Sequence, residues 1–129
     1  MNKKLLIAGS FLGGIGIILG AFAAHGLEPL LSSEDLRTFE TGVRYEMYSA
    51  FFLLFLACLP MISEKTKNAC FYLTVIGTIL FSGSIYLLAT NSLTNFDFGV
   101  IALATPLGGF LIIMAWVLLL INSVKLKNK

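Results

Sequence analysis

Four long apolar stretches, separated by short polar segments, take up most of this 129-residue sequence and leave little chain for anything else. A helix that crosses the hydrocarbon layer of a bilayer needs about 20 consecutive, mostly apolar residues. The stretches at about 5–24, 45–62, 69–90 and 99–121 reach or approach that length, and the second is the shortest. Charged residues make up only 12% of the chain, where a soluble domain carries about 25%. So few charges cannot cover a surface facing water, so the expected solvent is lipid. The expected fold is an all-α membrane protein, a bundle of four transmembrane helices forming one membrane domain over residues 1–129.

The charges between the stretches are sorted by sign. Lys3 and Lys4 precede the first stretch. Glu28, Glu34, Asp35, Arg37, Glu40, Arg44 and Glu46 follow it. The second loop, 63–68, carries Glu64, Lys65 and Lys67. The third, 91–98, carries only Asp97, and the tail carries Lys125, Lys127 and Lys129. Cytoplasmic segments of membrane proteins hold an excess of Lys and Arg. With the N-terminus inside, all seven lysines are cytoplasmic, and both arginines and six of the seven acids lie outside. A multi-pass protein of the cytoplasmic membrane with both termini in the cytoplasm is therefore expected. Lys3, Lys4, the apolar run and Ala21-Phe22-Ala23 also resemble a signal peptide. The run is longer than the roughly 7–15 residues of a signal core, which predicts a retained helix.

The first loop is patterned. Ser32 or Ser33 is suited to cap a helix, with Glu34 and Asp35 in its first turn. Leu36, Phe39, Val43 and Met47 then recur at helical spacing, with charges between them. An amphipathic helix before the second span is expected, either lying on the outer surface or running straight into that span. Within the first span, Gly9, Gly13, Gly16, Gly20 and Ala24 line one face. Small residues let helix backbones approach closely in lipid. Such a face serves either packing within the chain or a homo-oligomer contact. Pro106 has no N–H to give the carbonyl of Ala102, which predicts a kink in the fourth span. Cys58 and Cys70 lie in apolar runs without a CxxC or Cys/His cluster and are expected to be buried free thiols.

This topology gathers polar residues at one depth. His25 ends the first span on the outer side, Arg44 and Glu46 begin the second, Ser82 and Tyr86 lie in the outer half of the third, and Thr105 lies in the outer half of the fourth. These six form the candidate outer-leaflet polar cluster; Arg44 and Glu40, four apart, are placed to pair. The inner halves read as featureless apart from their lysine fringe. No nucleophile elbow, phosphate-binding glycine loop or metal-binding histidine pair is present, so no catalytic residue, metal, cofactor or nucleic-acid partner is expected.

Four motifs carry a resemblance. They are Gly20-Ala21-Phe22-Ala23-Ala24-His25-Gly26-Leu27, Phe39-Glu40-Thr41-Gly42-Val43-Arg44-Tyr45, Phe81-Ser82-Gly83-Ser84-Ile85-Tyr86-Leu87-Leu88 and Thr105-Pro106-Leu107-Gly108-Gly109. In this order they resemble the YgdD/YwdK-like family of small membrane proteins, found in bacteria with relatives in eukaryotes. The resemblance implies four spans and brings no established activity. That family commonly has a histidine where this chain has Ser49, so a two-histidine site with His25 cannot form here. The expected function is a non-enzymatic accessory or scaffold protein, alone as a homo-oligomer or within a larger complex in the bilayer. The alternative is a subunit of an oligomeric small-solute transporter or channel, and a lipid- or quinone-directed enzyme is a third reading.

Overall fold

A computed structural model describes residues 2–94 and 99–127. Asp97 and Lys129 lie outside them. The described chain is helical: α1 (Lys3–Phe22), a π-helical turn (Ala23–Leu27), α2 (Ser33–Ala57), α3 (Glu64–Ala89), short 3-10 turns at Asn91–Leu93 and Gly99–Leu103, and α4 (Ala104–Val124). Three helical stretches, Lys3–Leu27, Glu64–Ala89 and Gly99–Val124, are long and apolar enough to cross a membrane.

Side-chain caps fix where the helices begin. Asn2 Oδ1 accepts from the Leu5 amide at 3.3 Å, Ser32 Oγ from the Asp35 amide at 3.0 Å and Ser63 Oγ from the Thr66 amide at 3.2 Å. Each satisfies a donor that the first helical turn leaves free. Ser32 is thus the cap of α2, and the amphipathic segment runs without a break into the apolar one. The helix ends at Ala57, short of the expected Ile62, because Cys58 leaves helical geometry two residues before Pro60. A residue before proline is pushed out of the α region. Cys58 is exposed at that end and only Cys70 is buried, which corrects the expectation for the first thiol. The second loop is also shorter than its charges suggested. Lys67 lies in the first turn of α3, buried, 3.9 Å from Glu64; this is the one ion pair among the described residues.

α1 packs on α2, α2 on α3 and α3 on α4, all antiparallel. The small-residue face of α1 is filled by α2 of the same chain. A Cβ on Gly9 would meet Leu54, on Gly13 Ala50, on Gly16 Met47 and on Gly20 Val43. Ala24 does not continue the face. It stands in the π turn and is exposed, because bonding to the fifth residue instead of the fourth rotates the chain out of register. At the other end of the series, Gly77 and Gly108 bring α3 and α4 into backbone contact.

Pro106 stands just after a change of helix type. Residues 99–103 are a 3-10 turn and α4 starts at Ala104, so Pro106 lies in the first helical turn. The first turn of an α-helix is where proline is tolerated best.

Candidate functional site

The six polar residues expected to cluster divide into three sets. Glu46, on the buried face of α2, meets α3: the Tyr86 hydroxyl donates to Glu46 Oε1 at 2.7 Å. One turn earlier on α3, Ser82 Oγ donates to the Gly42 carbonyl at 2.7 Å. Gly42 makes this possible, since a Cβ there would lie 2.7 Å from the Tyr86 ring. Phe39 packs against the same ring with centroids 4.8 Å apart. On its other side the carboxyl faces α1, where a Cβ on Gly16 would lie 3.2 Å from Glu46 Oε2. Glu46, Tyr86 and Ser82 therefore form one network where α1, α2 and α3 meet, and Glu46 is only 4% exposed.

Thr105 belongs to a second set. Its hydroxyl shares a 2.5 Å hydrogen bond with Ser84 Oγ and so ties α4 to α3. His25, in the π turn, and Arg44 are both exposed and stand apart from the Glu46 network. Arg44 and Glu40 do not form an ion pair. Both are exposed on α2.

Reading depth alone missed a third feature, and the inner half is not featureless. Thr66, Cys70, Thr74, Thr78, Ser82, Tyr86 and Thr90 follow one another at every fourth position of α3. With 3.6 residues per turn, each such step advances the row by about 40° around the helix. The row consequently begins facing α4 and ends facing α2. Thr66 Oγ1 donates to Asn122 Oδ1 at 2.9 Å, and Cys70 Sγ lies 3.6 Å from the Ala115 carbonyl. Farther along, Ser82 and Tyr86 reach α2. The four-residue spacing was the available signal in the sequence.

Among the described residues, four buried side-chain oxygens have no hydrogen-bond partner: Glu46 Oε2, Ser49 Oγ, Thr74 Oγ1 and Thr78 Oγ1. Glu46 and Ser49 are on α2, Thr74 and Thr78 on α3. Most buried polar atoms in native proteins are hydrogen-bonded, so these four are exceptions, and they do not share one place: Glu46 Oε2 faces Gly16 of α1, and Ser49 is in the lining of a cleft toward α4. The cleft, of about 640 Å³, lies between α2 and α4, with Ser49 part of its lining. Its walls include Tyr45, Tyr48, Phe55 and Ile113, and Trp116 rests on Phe52 there with ring centroids 4.6 Å apart.

These features define a helical membrane protein with a buried carboxyl held by a tyrosine. The chain belongs to the family described as protein of unknown function (DUF423), whose profile matches residues 19–109. It is similar to UPF0382 membrane proteins across nearly its whole length. The relative from Haemophilus influenzae is 35% identical, covering 99% of this chain and 99% of its own. YwdK of Bacillus subtilis is 33% identical, covering 95% and 98%, and the inner membrane protein YgdD of Escherichia coli K12 is 33% identical, covering 99% and 95%. No solved structure matches the chain significantly.

Proposed function

We propose that this is a four-span, non-enzymatic protein of the cytoplasmic membrane that serves as an accessory or scaffold component of a larger membrane assembly. The observation that carries this reading is how its seams are closed. Gly77 meets Gly108 backbone to backbone, and four glycines seat α1 on α2. Neighbouring helices therefore touch along these two seams instead of holding polar side chains apart around a lumen. The outer faces of α1 and α4 stay free for neighbours, with Phe11, Ile17, Ile113 and Leu120 among their exposed residues. Extraction in mild detergent and mass measurement of the intact complex is expected to give an assembly heavier than the 14.0 kDa chain. A monomer alone would overturn the accessory reading.

The fourth span is α2, although its apolar part, Met47–Ala57, is short. Support comes from the chain's direction. Asn2 at the start of α1 donates to Glu64 at the start of α3 at 3.1 Å, and Lys4 lies 4.8 Å above the Phe71 ring. If α1 and α3 both cross starting from one side, the chain between them has to cross back. α2 has 25 residues, about 38 Å at 1.5 Å per residue, enough to do so. The lysine distribution puts both termini in the cytoplasm. In a background with Cys58 and Cys70 replaced by alanine, a cysteine appended to the C-terminus should resist a membrane-impermeant maleimide in intact cells and react after permeabilisation. Labelling of intact cells would reverse the topology.

The α2–α3 seam favours a second reading, a subunit of an oligomeric transporter. Ionisable groups buried at membrane depth mark ion or solute pathways in many membrane proteins, and hydroxyls continue from Glu46 into the other half of α3. Solute flux through vesicles that depends on Glu46 would support this reading over the first.

A further inference from the structure

Ser49 joins an unpartnered hydroxyl to a cavity. A hydroxyl on a helix ordinarily bonds the carbonyl four residues back, as Thr38, Thr41, Thr90 and Ser123 do. Ser49 is 1% exposed, and its Oγ has no hydrogen-bond partner. The residue is in the lining of the cleft of about 640 Å³ between α2 and α4.

That cleft has the size and the make-up of a small-molecule pocket, with apolar walls and few polar groups. Along α2, Tyr45, Tyr48, Phe52 and Phe55 recur at steps of three and four with Ser49 among them, and such steps keep side chains on one side of a helix. These rings do not simply fill a core. Phe52 is buried, with Trp116 resting on it, but Tyr48, Phe55, Ile113 and Trp116 are each about half exposed or more. Most of the α2 wall belongs to the apolar part of that helix, Met47–Ala57, so in the topology proposed above the cleft opens sideways into lipid. A molecule entering it comes from within the bilayer. Tyr48 stands next to Ser49 in the chain, and its half-exposed ring can turn aside without disturbing the core.

The lining selects the chemistry of the occupant. Six of its nine residues are aromatic and none is charged. A headgroup bearing phosphate or ammonium would find no counter-charge there, and burying an unpaired charge is costly. Aromatic faces and edges favour a flat ring against them. A hydroxyl without a partner takes an acceptor such as a carbonyl oxygen. A saturated acyl chain offers neither ring nor acceptor and would leave Ser49 as unpaired as before.

We propose that the α2–α4 cleft binds the ring of a membrane quinone, a neutral, flat, lipid-borne molecule with carbonyl oxygens, and that Ser49 Oγ donates to one of those oxygens. The apolar tail of the quinone stays in the lipid beyond the rim. The inference is of binding alone, with no change of oxidation state, and it goes beyond the accessory reading without resting on it.

Trp116 is the only tryptophan of the chain, so its fluorescence reports on this cleft. Quinones quench tryptophan emission on contact. The test titrates decylubiquinone into the purified full chain at one fixed detergent concentration. Saturable quenching is expected, and Ser49→Ala should raise the half-saturating concentration by on the order of fivefold, the worth of one hydrogen bond. Ser49→Ala also removes an orphan hydroxyl, so without quinone it should unfold no earlier than wild type, which keeps the comparison clear of misfolding. Decane, which has a tail and no ring, should not reverse the quenching. Quenching that rises without saturation would be partition into the micelle and would overturn the proposal. So would an unchanged half-saturation in Ser49→Ala, or full reversal by decane, which would make the cleft a groove for any lipid chain. Quenching lost as the chains self-associate at higher protein concentration would give the cleft to a second copy and also overturn it. None of these failures bears on the mass of the native complex, which tests the accessory reading.

Discussion

Adding one methyl group at Gly108 is expected to lower the unfolding midpoint of the detergent-solubilised protein by on the order of 5–10 °C, from about 1–3 kcal/mol of overpacking. In Gly108→Ala the new Cβ would press on the Phe81 amide nitrogen, lie 2.6 Å from the Gly77 carbonyl oxygen and 2.9 Å from the Leu80 carbonyl carbon. These are backbone atoms of α3 and cannot rotate away as a side chain would. Relief comes only if α4 moves off α3, which stretches the Ser84–Thr105 and Thr66–Asn122 hydrogen bonds at either end of the contact. Contact through small residues is what holds helices together in lipid, where the hydrophobic effect contributes little between them. The controls lie in the same chain. A Cβ at Gly14 or Gly83 would meet nothing within 4 Å, so Gly14→Ala and Gly83→Ala should be neutral, or stabilise by roughly 0.4–1 kcal/mol by restricting the unfolded chain. At Gly9 the nearest atoms belong to the Leu54 side chain, which can adjust, so an intermediate loss is expected. Equal midpoints for Gly108→Ala and Gly14→Ala would show that α3 and α4 do not meet as described.

The glycine face of α1 was legible in the sequence because spacings of three and four residues keep positions on one side of a helix over several turns. The start of α2 was legible for a similarly local reason, a capping serine followed by acids. What the sequence hid was direction around each helix. His25, Arg44, Glu46, Ser82, Tyr86 and Thr105 can be ranked by depth from their distance to the helix ends. Whether two of them touch depends on which face each presents, and that is set by packing. Glu46 and Arg44, two positions apart, point to different sides: one into the protein, the other out of it. The hydroxyl row of α3 was hidden because threonine and serine hardly interrupt an apolar run, and steps of four residues drift around the helix instead of marking one face. The change from 3-10 to α-helix two residues before Pro106, at Ala104, was not legible in the apolar run around it.

Tyr86→Phe is expected to cost about 1–3 kcal/mol, the penalty for leaving a buried polar atom without its partner. The phenyl ring would keep its packing on Phe39 and Gly42, so the loss isolates the hydroxyl and its 2.7 Å bond to Glu46 Oε1. After the change neither carboxyl oxygen has a donor, since Oε2 has none to begin with. Glu46→Leu produces the converse defect, a buried tyrosine hydroxyl with no acceptor. Combining the two removes both polar groups, and replacing both members of a buried pair by apolar groups of similar shape is often nearly neutral. The double variant should therefore unfold at a midpoint close to wild type, above at least the Tyr86→Phe single. The coupling between the two positions should lie within the roughly 0.5–3 kcal/mol seen for residues in direct contact. His25→Ala and Arg44→Ala supply the contrast, because both side chains are exposed and apart from this network. Their effects should add to within about 0.5 kcal/mol. If Glu46→Leu and Tyr86→Phe also added, the carboxyl would not be held by the tyrosine. A strong coupling would instead establish that α2 and α3 are locked at this depth by one hydrogen bond between the Tyr86 hydroxyl and Glu46.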